Sequence, residues 1–118
     1  MAEGFFIQLG RINQGKLLKI DYEKVQYVLA AKDYCEIHLT SKRYIIHSSL
    51  KKVQQKLEKE GFFRVQNSCI VNIRNIRSIY GDIITTDSGK QIMIGRSYKS
   101  SFLKYSSHWS GIILFVKI

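Results

Sequence analysis

The sequence predicts a mainly β fold of short antiparallel strands with one clear α-helix, and three observations point there. Apolar and polar residues alternate with a period of two along much of the chain, as half-buried strands require. One segment alone switches clearly to a helical period. No proline occurs, and clusters of turn-forming residues separate the alternating runs. The chain of 118 residues is one domain long, and its 45% apolar content suits a core that needs no staples.

The elements follow in order. Leu17–Ile20 and Val25–Leu29 are the first two expected strands. Tyr34–Leu39 alternates too, but both of its faces carry apolar groups, so its inner face stays open. Arg43–His47 follows the tight turn Thr40-Ser41-Lys42. Leu50, Val53 and Leu57 then fall at i, i+3 and i+7, one stripe of a helix over about 49–60. Ser48 or Ser49 can cap its start, and Gly61 can close its end in a left-handed conformation. Strands resume at Phe62–Val65, near Ile70–Ile73, and at Ile76–Tyr80. Asp87-Ser88-Gly89-Lys90 should join Ile83–Thr86 and Gln91–Ile94 as a hairpin. A short C-terminal helix from near Ser97 would carry Tyr98, Phe102 and Tyr105 on one side. The inventory is about eight strands.

Charge narrows the partner. The net charge is +10, and it is unevenly spread. Met1–Thr40 carries five basic and five acidic residues, whereas Ser41–Lys104 carries thirteen and four. So basic a segment attracts polyanions, nucleic acid first among them. Cys35 and Cys69 make no disulfide framework, which suits a reducing cytoplasm, and both read as small core residues. No signal peptide is expected, and the run Gly111–Val116 is far too short to span a bilayer.

Enzyme motifs are missing: no glycine-rich phosphate loop, no nucleophile elbow, no Cys-x-x-Cys. The chain is therefore read as a non-enzyme without cofactor or small-molecule substrate. Of His38, His47 and His108, the first two sit on neighbouring strands and could face each other as a surface pair. A metal site would need further ligands, and none is expected. The loops are more informative. Gln66-Asn67-Ser68 breaks two strands directly after Arg64; Asn and Gln suit an adenine edge, and Ser suits a phosphate. Arg96-Ser97-Tyr98-Lys99 follows the last strand; Arg can fork onto guanine, while Ser and Lys suit phosphate oxygens.

The order of these residues resembles a known family. Gly61-Phe62-Phe63-Arg64-Val65-Gln66-Asn67-Ser68-Cys69-Ile70-Val71-Asn72 is similar to the signature of LytTR domains, aromatic-aromatic-Arg-Val-His-x-Ser-x-hydrophobic-Val-Asn. Ile92-Met93-Ile94-Gly95-Arg96-Ser97-Tyr98-Lys99 resembles that family's closing motif. Ile20-Asp21-Tyr22 and Ala30-Ala31-Lys32-Asp33-Tyr34 match its early strand and first loop. The resemblance covers about 17–103. It frames 1–118 as a single LytTR-like domain, with a lead-in over 1–16 and an apolar tail over 108–118.

The resemblance implies a DNA-binding effector domain of a bacterial transcription regulator in a two-component system, with loops entering successive major grooves. By resemblance, Tyr34, Asn67 and Arg96 are the base-contacting residues. Lys32, Ser48, Lys52, Ser68, Ser97 and Lys99 would contact phosphate, the helix start being suited to anions. The implied partners are double-stranded DNA, a receiver or sensor domain in a longer chain or partner protein, and a second copy on repeated sites. Two positions depart from the family pattern: Gln66 stands for the usual His, and Gly95 for a common Ser. Two alternatives remain. One is a single-stranded nucleic-acid or RNA module using Tyr34, Tyr80 and Tyr98 as stacking platforms. The other is a protein-interaction domain.

Overall fold

The computed structural model describes residues 3–9 and 15–110, with side chains as far as Tyr105. Ten strands and two helices occur among the described residues. The strands are β1 (Gly4–Leu9), β2 (Lys16–Asp21), β3 (Tyr27–Ala31), β4 (Tyr34–His38) and β5 (Arg43–Ile46). After helix α1 (Leu50–Leu57) come β6 (Phe62–Gln66), β7 (Cys69–Asn72), β8 (Ile76–Tyr80), β9 (Ile83–Thr86) and β10 (Gln91–Met93). Helix α2 (Lys99–Ser110) closes the described chain.

All pairings are antiparallel. A five-stranded sheet runs β5-β4-β3-β7-β6, a three-stranded sheet runs β10-β9-β8, and β1 and β2 form a hairpin. The large sheet is covered on both faces. One face packs Val28, Ile37, Phe62 and Ile70 against Leu50, Val53 and Leu57 of α1 and against Ile7 and Ile20 of the hairpin. The other packs Val65, Cys69 and Val71 against Ile84 and Ile92 of the small sheet and Phe102 of α2. This explains why β7 reads as a continuous apolar run: a central strand buried on both faces has no solvent side to mark with polar residues.

Several local expectations hold. Cys35 and Ile37 form the inner face of β4, which the alternation left open. Ser49, not Ser48, caps α1, its side chain accepting from the Lys52 amide at 3.2 Å. Gly61 ends the segment with φ +88°, after a 3-10 turn over Glu58–Glu60. Both cysteines are free and buried, and burial pushes the Cys69 thiol up to about 12. Asn72, part of the family-like signature, is fully buried. Its Nδ2 donates to the carbonyls of Tyr22 and Val25, both at 2.7 Å. It therefore ties β7 to the chain entering β3 and has no surface to offer a ligand.

Other expectations need correction. Gly4–Leu9, within the segment read as a lead-in, is a strand paired with β2. The short C-terminal helix, by contrast, is present as expected, over Lys99–Ser110. The apolar tail lies, from Gly111 on, outside the described residues. His38 and His47 do not face each other: the β4–β5 register sets His38 opposite Arg43, and His47 follows Ile46, which pairs with Cys35. His38 instead stacks on Tyr27 with ring centroids 4.6 Å apart. Its Nε2 lies 2.9 Å from Glu36 Oε1, and this bond, with Arg43 nearby, holds the Glu36 carboxyl below its usual range.

Candidate nucleic-acid interface

The strand order decides what the loops can do together. Because β3 pairs with both β4 and β7, the β3–β4 turn and the β6–β7 turn emerge at one end of the large sheet. A backbone bond from Ala30 N to Ser68 O, 2.9 Å, ties the two turns directly. The segment after β10 joins them. Gly95 N donates to Val65 O at 2.7 Å, and Tyr98 Oη donates to Asn67 Oδ1 at 2.8 Å. The end of β5 and the start of α1 lie on the other side, next to Tyr34. One sheet end therefore presents, in spatial order, Ser48, Tyr34, Lys32, Ser68, Asn67 and Arg96. Four inter-strand spacings of about 4.8 Å put the outer strands of this row roughly 19 Å apart.

Each side chain has its own setting. Lys32 occupies the left-handed region at φ +58°, which turns the chain sharply from β3 into β4. Tyr34 is 49% exposed and its ring packs at a tilt against His47 with centroids 5.1 Å apart. Lys32, Asp33, His47, Ser48, Ser49 and Lys52 line a shallow depression beside it. Three of the expected phosphate ligands, Lys32, Ser48 and Lys52, are thus gathered in one place. The Ser48 hydroxyl donates to the Ser49 carbonyl at 3.3 Å, and the ammonium groups of Lys32 and Lys52 have no partner among the described residues.

The central turn is the most tightly held. Arg64 Nη2 donates to Asn67 O at 2.6 Å, and its Nη1 reaches Gln54 Oε1 of α1 at 3.3 Å. Gln66 Nε2 donates to Met93 O at 2.5 Å while its Oε1 accepts from Ser68 Oγ at 2.8 Å. With Tyr98 Oη on its Oδ1, the Asn67 amide is oriented so that its Nδ2 is left to donate outward. Arg96 is exposed and its guanidinium has no partner among the described residues. Lys99 differs: its ammonium lies 2.6 Å from Asp82 Oδ1, a half-exposed ion pair that must open before the ammonium can meet another anion.

A model of the LytTr DNA-binding domain matches residues 15–107. The chain belongs to the LytTR family. Among solved structures, the LytTr DNA-binding domain of a protein described as a methyl-accepting/DNA response regulator from Bacillus cereus is similar to it at 26% identity. The match has a TM-score of 0.71 and covers 85% of this chain and 94% of that one. No curated protein sequence matches the chain. The LytTR assignment and the mainly β architecture therefore stand on both sequence and structure.

Within this LytTR domain, four residues outside the expected set of contacts support the candidate site. Arg64, Gln66 and Tyr98 hold the Asn67 turn, and His47 backs Tyr34. The sequence offers Tyr98 as part of a helix stripe and as a stacking platform, and neither reading gives it a partner in the Asn67 turn. Its hydroxyl serves Asn67 instead, while Phe102 is the buried member and Tyr105 reaches the Glu58 carbonyl at 2.8 Å. The tyrosines named as stacking platforms form no single sheet face. Tyr34 is on the large sheet and Tyr80 on the small one, and Tyr98 lies in a 3-10 turn. No three metal-ligating side chains converge among the described residues. No helix there is long and apolar enough to cross a membrane.

Proposed function

We propose that the domain reads double-stranded DNA sequence-specifically, as the effector part of a cytoplasmic transcription regulator. Its role is binding rather than catalysis. A receiver or sensor domain would act on it from the same or a partner chain, and a second copy would occupy a repeated site. One observation carries the reading: three segments, joined by direct hydrogen bonds, bring Tyr34, Asn67 and Arg96 to one end of one sheet. Tyr34, Asn67 and Arg96 are the base readers. Lys32, Ser48, Lys52, Ser68, Ser97 and Lys99 supply phosphate contacts.

Size sets the docking. A row of roughly 19 Å spans one major groove, about 12 Å wide, with its flanking backbones. Neighbouring major grooves are about 34 Å apart, so Tyr34 and Arg96 reach them only with outward side chains or a duplex bent toward the domain. Selection from a random duplex pool supplies the site, and Arg96→Ala then tests the reading. Affinity for the selected duplex should fall by about 1–3 kcal/mol, with preference lost at one position. Equal losses on selected and random duplex would sink the base-reading role of Arg96.

A further inference from the structure

His47 has no role in the reading above, yet it stands at the edge of the interface. It directly follows Ile46, whose partner in the β4–β5 pairing is Cys35, so it comes out beside Tyr34. Its ring packs on Tyr34 with centroids 5.1 Å apart and planes inclined by 45°. It is exposed, and its ring nitrogens make no hydrogen bond among the described residues. The depression that it lines holds two ammonium groups, Lys32 and Lys52, two hydroxyls, Ser48 and Ser49, and one carboxylate, Asp33.

We infer that His47 seats a single DNA backbone phosphate in this depression, together with Lys32 and Lys52, while its ring face fixes the direction of Tyr34. The inference rests on the proposed DNA reading and deepens it. The two parts of the side chain do separate work. A ring nitrogen can donate to a phosphate oxygen, and the lysines supply the charge. The ring face restricts the rotamers of Tyr34, a residue otherwise half exposed at a turn. A Tyr fixed before contact loses less freedom on binding than a mobile one. One imidazole thus couples a backbone contact, which sets register, to a base contact, which sets sequence.

Two substitutions on the full chain separate these functions. His47→Phe keeps an aromatic face but has no N–H, and His47→Ala has neither. The probes are the duplex selected from a random pool and copies of it with one phosphate at a time replaced by a neutral methylphosphonate. Both variants should bind the selected duplex about three- to tenfold more weakly, the scale of one ordinary hydrogen bond made at a solvent-exposed site. In wild type one methylphosphonate position should be costly, and in both variants that position should lose the share of its effect that the imidazole bond supplies, while the lysines keep the rest. Base preference opposite Tyr34 should survive in His47→Phe and relax in His47→Ala. An interference pattern unchanged in His47→Phe, or a preference unchanged in His47→Ala, overturns the inference. Failure of the DNA reading looks different: the wild-type chain would then select no duplex at all. Because His47 is exposed, neither variant should unfold the domain, and a thermal melt checks this.

Discussion

Replacing Tyr98 with Phe removes a single hydroxyl and isolates one hydrogen bond, that from Tyr98 Oη to Asn67 Oδ1 at 2.8 Å. Asn67 is exposed and Tyr98 half-buried, so the bond competes with water. Its net worth lies near the lower end of the usual range, about 0.5 kcal/mol. The melting temperature should fall by roughly 2–4 °C. The larger consequence is for recognition. With Tyr98 in place the Asn67 amide is already oriented, one lone pair of Oδ1 taken and Nδ2 free to donate. That is the arrangement an adenine edge requires, since the second lone pair can still accept from the base. Without the phenol the amide must be ordered on binding, at a cost of about 0.5–1 kcal/mol. Affinity for the selected duplex should drop about two- to fivefold. Affinity for random duplex and the salt slope should not change, because no charge is altered. Asn67→Ala, by contrast, deletes the contact itself and should cost about 1–3 kcal/mol. Titrations of the selected duplex and of one changed at the Asn67 position give the ratio that matters. If Tyr98→Phe leaves that ratio at the wild-type value, Asn67 is not oriented by Tyr98.

Two further outcomes follow from the same contacts. Asp82→Asn should free the Lys99 ammonium and strengthen binding to every duplex, while Lys99→Ala should weaken it and take about 0.9 from the log–log salt slope; an unchanged slope in Lys99→Ala removes Lys99 from the interface. Burial raises the folded-state Cys69 thiol to about 12, so the unfolded chain releases this proton first as the pH rises. Stability should be flat below about pH 8.5 and then fall by at most about 1.4 kcal/mol per pH unit per thiol, and Cys69→Ala should flatten the decline of the melting temperature.

What the sequence made legible was whatever is written in local periodicity. The stripe Leu50, Val53 and Leu57 and the turn Asp87–Lys90 each depend on residues a few positions apart, and each appears as expected. β1 is not legible because Phe5, Phe6 and Ile7 do not alternate in polarity and because its partner, β2, begins only at Lys16. His38 and His47 were wrongly paired because facing depends on register, which the turn sets and the two sequences do not reveal. The ordered family-like motifs placed the loops, but not what holds them. Gln66 meets the Met93 carbonyl 27 residues away, and Tyr98 meets Asn67 across 31. Charge count was misleading in one place: Lys99 appears as a cation in the sequence, and only the fold brings Asp82 to it.

The two departures from the family pattern sit on either side of this contact, and Gly95 follows from it. A Cβ at position 95 would lie 3.2 Å from Tyr98 Cδ2 and 3.4 Å from Val65 O. The backbone there has φ −66°, open to any residue, so crowding rather than strain is what a side chain would meet. Glycine lets the Tyr98 ring lie close enough for its hydroxyl to reach Asn67, while Gln66 pins the same turn from its other side. Gly95→Ala should therefore shift the ring by a few tenths of an ångström and lengthen the bond to Asn67. Stability should hardly change, since the roughly 0.4–1 kcal/mol gained by restricting the unfolded chain offsets the crowding. Discrimination at the Asn67 position should fall about twofold, less than in Tyr98→Phe. The decisive measurement is the double variant. If position 95 acts through the Tyr98 hydroxyl, adding Gly95→Ala to Tyr98→Phe should cost no further discrimination, because the bond it perturbs is already gone. Additive losses would mean that Gly95 acts on Arg96 or the backbone instead, and the Ser common at this position would then be a contact forgone rather than a side chain excluded.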